Sequence, residues 1–203
     1  GSHIGENMHN TQVQEMSECI DKGATIIAVD PRFSTAASKA QHWLAIKPAT
    51  DMALLLAWMH VLIYENLYDK EYVELYGQGF DKLKEHVRGF TPEWAYGITT
   101  IKPEEIRKTA RVMAEAAPAV IVHPGRHVTW YGDDSQRGRA VVLLNALLGS
   151  WGRRGGFYFK ESIKIPSFPH PPYPEPKWGW HEIGENFPFA EMGITNEIIK
   201  ASI

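Results

Sequence analysis

Three polar stretches, each following an apolar run, carry residue types that could do chemistry. The first is "AVDPRFSTAA", residues 28–37, where Asp30, Pro31 and Arg32 interrupt what reads as a buried strand. A carboxyl at the end of a parallel strand is placed to accept hydrogen bonds from ribose hydroxyls, because ligands of α/β sheets gather at the carboxyl ends of strands. Asp30 can equally be an ordinary strand-end turn residue. Arg32 can hold a phosphate bidentately or stack on a base, or else form a surface salt bridge. The second stretch, "KPATD", ends in Asp51. As a helix cap, Asp51 satisfies orphan N–H groups; as a ligand, its carboxyl accepts two bonds from the N1–H and exocyclic amine of a guanine. The third is "HPGRHVTWYGDD", residues 123–134, a strand-to-helix connection whose donors suit an oxyanion or an anionic cofactor. A metal shared by His123 and His127 is disfavoured, since Pro124 and Gly125 break the helical geometry that an i, i+4 pair needs.

The elements around these stretches follow a helix, glycine, strand rhythm. "TQVQEMSECIDKG" places Val13, Met16 and Ile20 at helical spacing, with Thr11 as N-cap, Gly23 as stop and Cys19 in the core. "ATIIAVD" and "HWLAIKP" read as strands, joined through "FSTAASKAQ", which has room for one helical turn. "MALLLAWMHVLIY", residues 52–64, is too short for the roughly 20 residues of a membrane span and reads as a buried helix capped by Thr50 or Asp51. Short helices broken at Gly77, Gly79, Gly89 and Gly97 follow. "KPEEIRKTARVMAEAA" has Pro103 and two acids in its first turn and an apolar face of Ile106, Ala110, Met113 and Ala117. "PAVIVHPG" reads as a third strand, and "DDSQRGRAVVLLNALLGSWG" as an acid-capped helix stopping near Gly149 or Gly152. The expected fold class is therefore α/β: a Rossmann-like parallel sheet flanked by helices, over residues 1–159. Residues 160–203 read as a Pro- and aromatic-rich extended segment, since "IPSFPHPPYPEPKWGW" holds six of the 13 prolines.

Composition narrows the classes. A net charge of −3 offers no footprint for nucleic acid. One cysteine excludes a disulfide framework, a CxxC pair and a four-thiolate site within these 203 residues. No Ser-His-Asp or Cys-His arrangement stands out. The opening "GSHIGENMHN" shows no leader pattern and reads as a cut start. Its "GSHIGEN" does not match the GxGxxG of a nicotinamide-dependent dehydrogenase, yet Gly5 and Asn7 ahead of a helix could present backbone N–H groups to a phosphate.

Taken in order, "GEN", "GATIIAVDPRFSTAASKAQHWLAIKPATDMALLLAWMHVLI", "YDKEYVE", "FTPEWAYGITTIKPEEIRKTARVMAEA" and "LLNALLGSWGRRGGFYF" resemble catalytic subunits of the molybdopterin oxidoreductase family, of the dimethyl sulfoxide reductase type. The polysulfide, thiosulfate and tetrathionate reductase branch is the one resembled, with arsenate reductases as near relatives. The resemblance implies a bis-molybdopterin guanine dinucleotide cofactor carrying molybdenum or tungsten, and reduction of a sulfur or related oxyanion. It implies that Gly5, Glu6 and Asn7 lie near the pyrophosphate, that Asp30, Pro31 and Arg32 form the ribose and guanosine rim, and that Asp51 reads the base. Gly125, Arg126 and His127 match the loop approaching the pterin and metal, with Arg126 or His127 facing substrate. Where the family usually has Gly in the segment before Asp51, this chain has Ala49. No residue here matches a metal ligand, and the iron-sulfur cluster is expected in an N-terminal part outside this sequence, which reads as an internal fragment. The implied partners are the remainder of the catalytic subunit, an iron-sulfur electron-transfer subunit and a membrane anchor subunit, at an exported location. The alternative from a different class is a non-catalytic binding or assembly module derived from the same family.

Overall fold

A computed structural model describes residues 10–123, 134–158 and 166. The chain divides into two compact units, Gly1–Lys160 and Glu161–Ile203, and every element below belongs to the first. Helix α1 spans Asn10–Asp21, strand β1 Ile27–Val29, helix α2 Thr35–Lys39 and strand β2 His42–Leu44. Helices α3 (Asp51–Tyr64), α4 (Lys70–Tyr76), α5 (Phe80–His86), α6 (Pro92–Thr99), α7 (Pro103–Ala116) and α8 (Asp134–Leu147) follow, with a single 3-10 turn at Val87–Gly89. The class is α/β, dominated by helices. Its two described strands pair in parallel, with Ile27 opposite His42, Ala28 opposite Trp43 and Val29 opposite Leu44.

The core forms around α3, which is apolar on all sides. Nine of its residues are buried, among them Leu54, Trp58, Met59 and Leu62, and it packs against α6, α7 and α8. A helix with no polar face is stable only when enclosed. Helix α7 presents one face to it, with Ile106, Ala110 and Met113 buried, and the Trp58 indole N–H donates to Thr109 Oγ1 at 2.9 Å. At the start of α6, Thr91 Oγ1 accepts from Trp94 N, and the Glu93 carboxyl is held below its ordinary range by a backbone N–H and, next, by Arg107.

Helix ends follow the chemistry of their residues. Gly23 adopts φ +91° and closes α1 with bonds from Gly23 N to Ile20 O and from Ala24 N to Cys19 O. Gly149, at φ +63°, closes α8 likewise, through Gly149 N to Ala146 O and Ser150 N to Asn145 O. A side chain at Gly149 would also collide with Asp69, whose Oδ1 caps α4 through Tyr72 N and whose Oδ2 accepts from Arg153 Nη1 at 2.6 Å. The Arg153 guanidinium lies over the Tyr72 ring, so α4 and the end of α8 are pinned together.

Three expectations need correction. The segment 118–123 is not a strand. Instead the buried Asn145 side chain stands in for a neighbouring strand: its Oδ1 accepts from Val122 N at 2.9 Å and its Nδ2 donates to Val122 O at 3.0 Å. Gly97 does not break a helix but lies inside α6, which ends at Thr100 in the left-handed region. Cys19 is exposed, because the inward stripe of α1 centres on Val13, Met16 and Ile20 and turns away before reaching it. The Thr11 cap concerns a side chain outside those described.

Replacing Asn145 with Ala leaves both backbone groups of the half-buried Val122 without their side-chain partner, which costs about 1–3 kcal/mol. Urea unfolding of the variant against the parent protein measures this directly. Replacement with Asp, which retains the acceptor for Val122 N, costs less.

Candidate functional site

The described candidates follow the carboxyl ends of the two parallel strands in the chain. Asp30 directly follows β1, and the loop carrying Asp51 follows β2, so both lie beyond the same ends of neighbouring parallel strands. This is the edge at which open α/β sheets bind ligands.

Asp30 is 4% exposed, yet it is not satisfied as a structural acid would be. Its Oδ1 accepts from Arg32 N at 3.0 Å, closing a tight turn over Pro31. Its Oδ2 has no hydrogen-bond partner; among the described residues it shares that condition only with Gln12 Oε1. Buried acceptors are nearly always paired, and one left unpaired costs about 1–3 kcal/mol. A hydroxyl donor from a ligand would supply the missing bond. The backbone of Asp30 is fully engaged: Asp30 N donates to Leu44 O at 3.2 Å, and the Trp43 indole Nε1 donates to Asp30 O at 2.9 Å. Pro31 and Arg32 are exposed on the turn. Ser34 then caps α2, its Oγ accepting from Ala37 N.

Asp51 is the first residue of α3, half-buried, with Thr50 at the cap position. Thr50 does not cap through its side chain: its hydroxyl donates back to Lys47 O at 2.6 Å. Ala49 has φ +63°, in the left-handed region that favours glycine. Leading into this turn, Ile46 is buried and Lys47 N donates to Thr99 O, tying the loop to the end of α6.

Of the residues named from sequence, the structure brings Asp30, Pro31 and Arg32 into one turn and sets Asp51 beyond the adjoining strand. Gly5, Glu6, Asn7, Gly125, Arg126 and His127 lie outside the described residues. Trp43 was missed by sequence reasoning, which read it only as part of a strand. Its sole signal was a large aromatic in the middle of the second expected strand. Among the described residues, no three His, Cys, Asp or Glu side chains cluster as a metal site, and no helix is long and apolar enough to cross a membrane. A cleft of about 590 Å³ along α6 and α7 contains none of the candidate site residues named from sequence. Its arginines are spent on ion pairs, Arg107 with Glu93 and Arg111 with Glu65.

Comparison with known proteins adds to this geometry. The family described as Molybdopterin oxidoreductase matches residues 1–172. The chain is 38% identical over 165 residues to the thiosulfate reductase molybdopterin-containing subunit PhsA of Salmonella typhimurium, covering 81% of this chain and 22% of that protein. It is 35% identical to the arsenate respiratory reductase molybdopterin-containing subunit ArrA of Chrysiogenes arsenatis, covering 71% of this chain and 19% of that subunit. The solved structure of acetylene hydratase from Pelobacter acetylenicus superposes with a TM-score of 0.69 at 34% identity, over 75% of this chain and 21% of that one. The chain thus spans about a fifth of the length of these relatives.

Three substitutions at two positions probe these turns. Ala49→Gly relieves the left-handed strain and raises stability by up to about 1 kcal/mol, read as an increase in the thermal midpoint. Asp30→Asn keeps an acceptor for Arg32 N and, without ligand, shifts stability by less than about 1 kcal/mol. Asp30→Ala loses that bond and costs about 1–2 kcal/mol in the same assay.

Proposed function

The chain belongs to the molybdopterin oxidoreductase family, and from that premise we propose that it forms one of the cradles for a molybdopterin guanine dinucleotide in an enzyme reducing a sulfur oxyanion. The family implies a molybdopterin cofactor with molybdenum or tungsten, whose metal supplies the electron transfer when bound. The observation that carries the reading is the buried, unpartnered Asp30 Oδ2 at the carboxyl end of β1. It fits a ribose hydroxyl, which donates one hydrogen bond and needs an acceptor held in place.

In this proposal Asp30 accepts from the ribose, Pro31 holds the turn in its extended exit from the sheet, and Arg32 reaches phosphate or base. Asp51 accepts from the N1–H and exocyclic amine of guanine, beside the first N–H groups of α3. Gly5, Glu6 and Asn7 line the pyrophosphate. Gly125 allows close approach of backbone to the pterin, while Arg126 or His127 donates hydrogen bonds to the substrate oxyanion as it gains electrons. For thiosulfate, cleavage of the S–S bond consumes two electrons and two protons and yields sulfite and hydrogen sulfide. Residues 1–159 make up the dinucleotide-binding region and 160–203 an extended segment. The electrons arrive from an iron-sulfur partner subunit, with a membrane anchor subunit completing the assembly.

Thiosulfate, rather than polysulfide or tetrathionate, is supported first by the similarity to the thiosulfate reductase subunit. The full-length protein is expected to release guanine nucleotide on acid hydrolysis and to contain molybdenum or tungsten by elemental analysis. Double substitution Asp30→Ala with Asp51→Ala lowers bound guanine at least about tenfold. A full-length protein holding neither metal nor guanine contradicts the proposal and favours the non-catalytic assembly module.

A further inference from the structure

Resting on the reading of Asp30 as a ribose acceptor, we propose that Trp43 is a positioning residue that sets the direction of the Asp30 carboxyl and so governs discrimination for the ribose hydroxyls. Trp43 occupies the middle of β2 but remains 40% exposed, and the neighbouring Phe33 is 62% exposed. An exposed strand position has no need of an indole for burial alone. The polar end of this indole is spent on Asp30, whose carbonyl accepts from Nε1 at 2.9 Å. The Phe33 ring meets the Trp43 ring edge-on, with centroids 4.9 Å apart. Phe33 directly follows the Asp30–Arg32 turn, so its ring contact ties the end of that turn to Trp43.

The consequence for the carboxyl follows from counting its constraints. Asp30 N donates to Leu44 O and Asp30 O accepts from Trp43, so both main-chain groups are tied to β2. Arg32 N engages Oδ1, which fixes the side-chain rotation. With the backbone and one oxygen held, Oδ2 is left in a single place, buried and unpartnered. The strength of a hydrogen bond falls steeply as its angle departs from linear, so a carboxyl that can swing discriminates less than one that cannot. Of these ties, the indole bond is the one that depends on a side chain from outside the turn, and it is therefore the one that substitution can remove without touching the ligand-contacting residues.

Calorimetric titration of the full-length protein, isolated without cofactor, with guanosine monophosphate and with its 2′,3′-dideoxy analogue tests this. The parent protein binds the ribonucleotide about tenfold more tightly than the analogue. Trp43→Phe retains the ring but lacks the N–H donor, and its ratio falls to below about threefold. Phe33→Ala, which leaves β2 intact, lowers the ratio by at least about twofold, and it carries the test alone should Trp43→Phe fail to fold. A purely structural role for Trp43 would lower the thermal midpoint and weaken both nucleotides equally, leaving the ratio unchanged. An unchanged ratio in a folded variant overturns the positioning role alone. A parent protein that binds both nucleotides equally, or neither, overturns the ribose reading of Asp30 and this inference with it.

Discussion

Helix α3 is apolar around its whole circumference, and the described fold is arranged to enclose it. Burial of Leu54, Leu62 and their neighbours removes large side chains from water, each worth about 1.5–3 kcal/mol. The same constraint demands that α6, α7 and α8 each offer an apolar face, as they do. It also decides where polar groups are admitted: Thr109 meets the Trp58 indole, and Asn145 sits fully buried with its amide fully engaged. Because α3 begins at Asp51, the enclosed helix holds that residue on a rigid element. Functional groups carried by such elements are placed more accurately than groups on free loops.

Against this economy of pairing, Asp30 stands out. Among the described residues, Gln12 Oε1 apart, the other buried side-chain polar atoms are answered, as the two bonds from Asn145 to Val122 and the double role of Ser150 illustrate. At the end of β1 an acid is drawn almost wholly out of solvent, half satisfied by its own turn, with the other oxygen left over. A local departure of this kind, in a structure otherwise consistent with its sequence, is characteristic of a binding site. Family membership supplies the class of cofactor, and in the proposed function the turn at Asp30 receives one of its hydroxyls.

Much of this was legible in the residues themselves. Pro103 with Glu104 and Glu105 announced α7, the apolar run announced α3, and Gly23 and Gly149 marked helix ends that their positive φ angles bear out. Other features were decided by tertiary contacts that composition does not carry. The run 118–123 has the makeup of a strand, but its hydrogen-bonding partner is the side chain of Asn145, 23 residues further on. Gly97 has the makeup of a breaker, but α6 is held by Ala95, buried against the core, and continues past it. In the site, Asp30 and Asp51 were visible as polar ends of apolar runs, each with a turn or cap role as the competing account. For Asp30 alone, the unpaired Oδ2 adds an observation that favours binding, and it is a property of three-dimensional surroundings. The bond from the Trp43 indole to Asp30 O was invisible for the same reason, since it joins residues 13 positions apart.

The most direct test of the central claim is a crystal structure of the full-length protein with its cofactor bound. The account predicts a ribose hydroxyl oxygen within about 2.5–3.0 Å of Asp30 Oδ2, with the Arg32 N to Oδ1 bond retained. A dinucleotide seated away from the carboxyl ends of β1 and β2, with Asp30 Oδ2 bonded to protein or water instead, would contradict it.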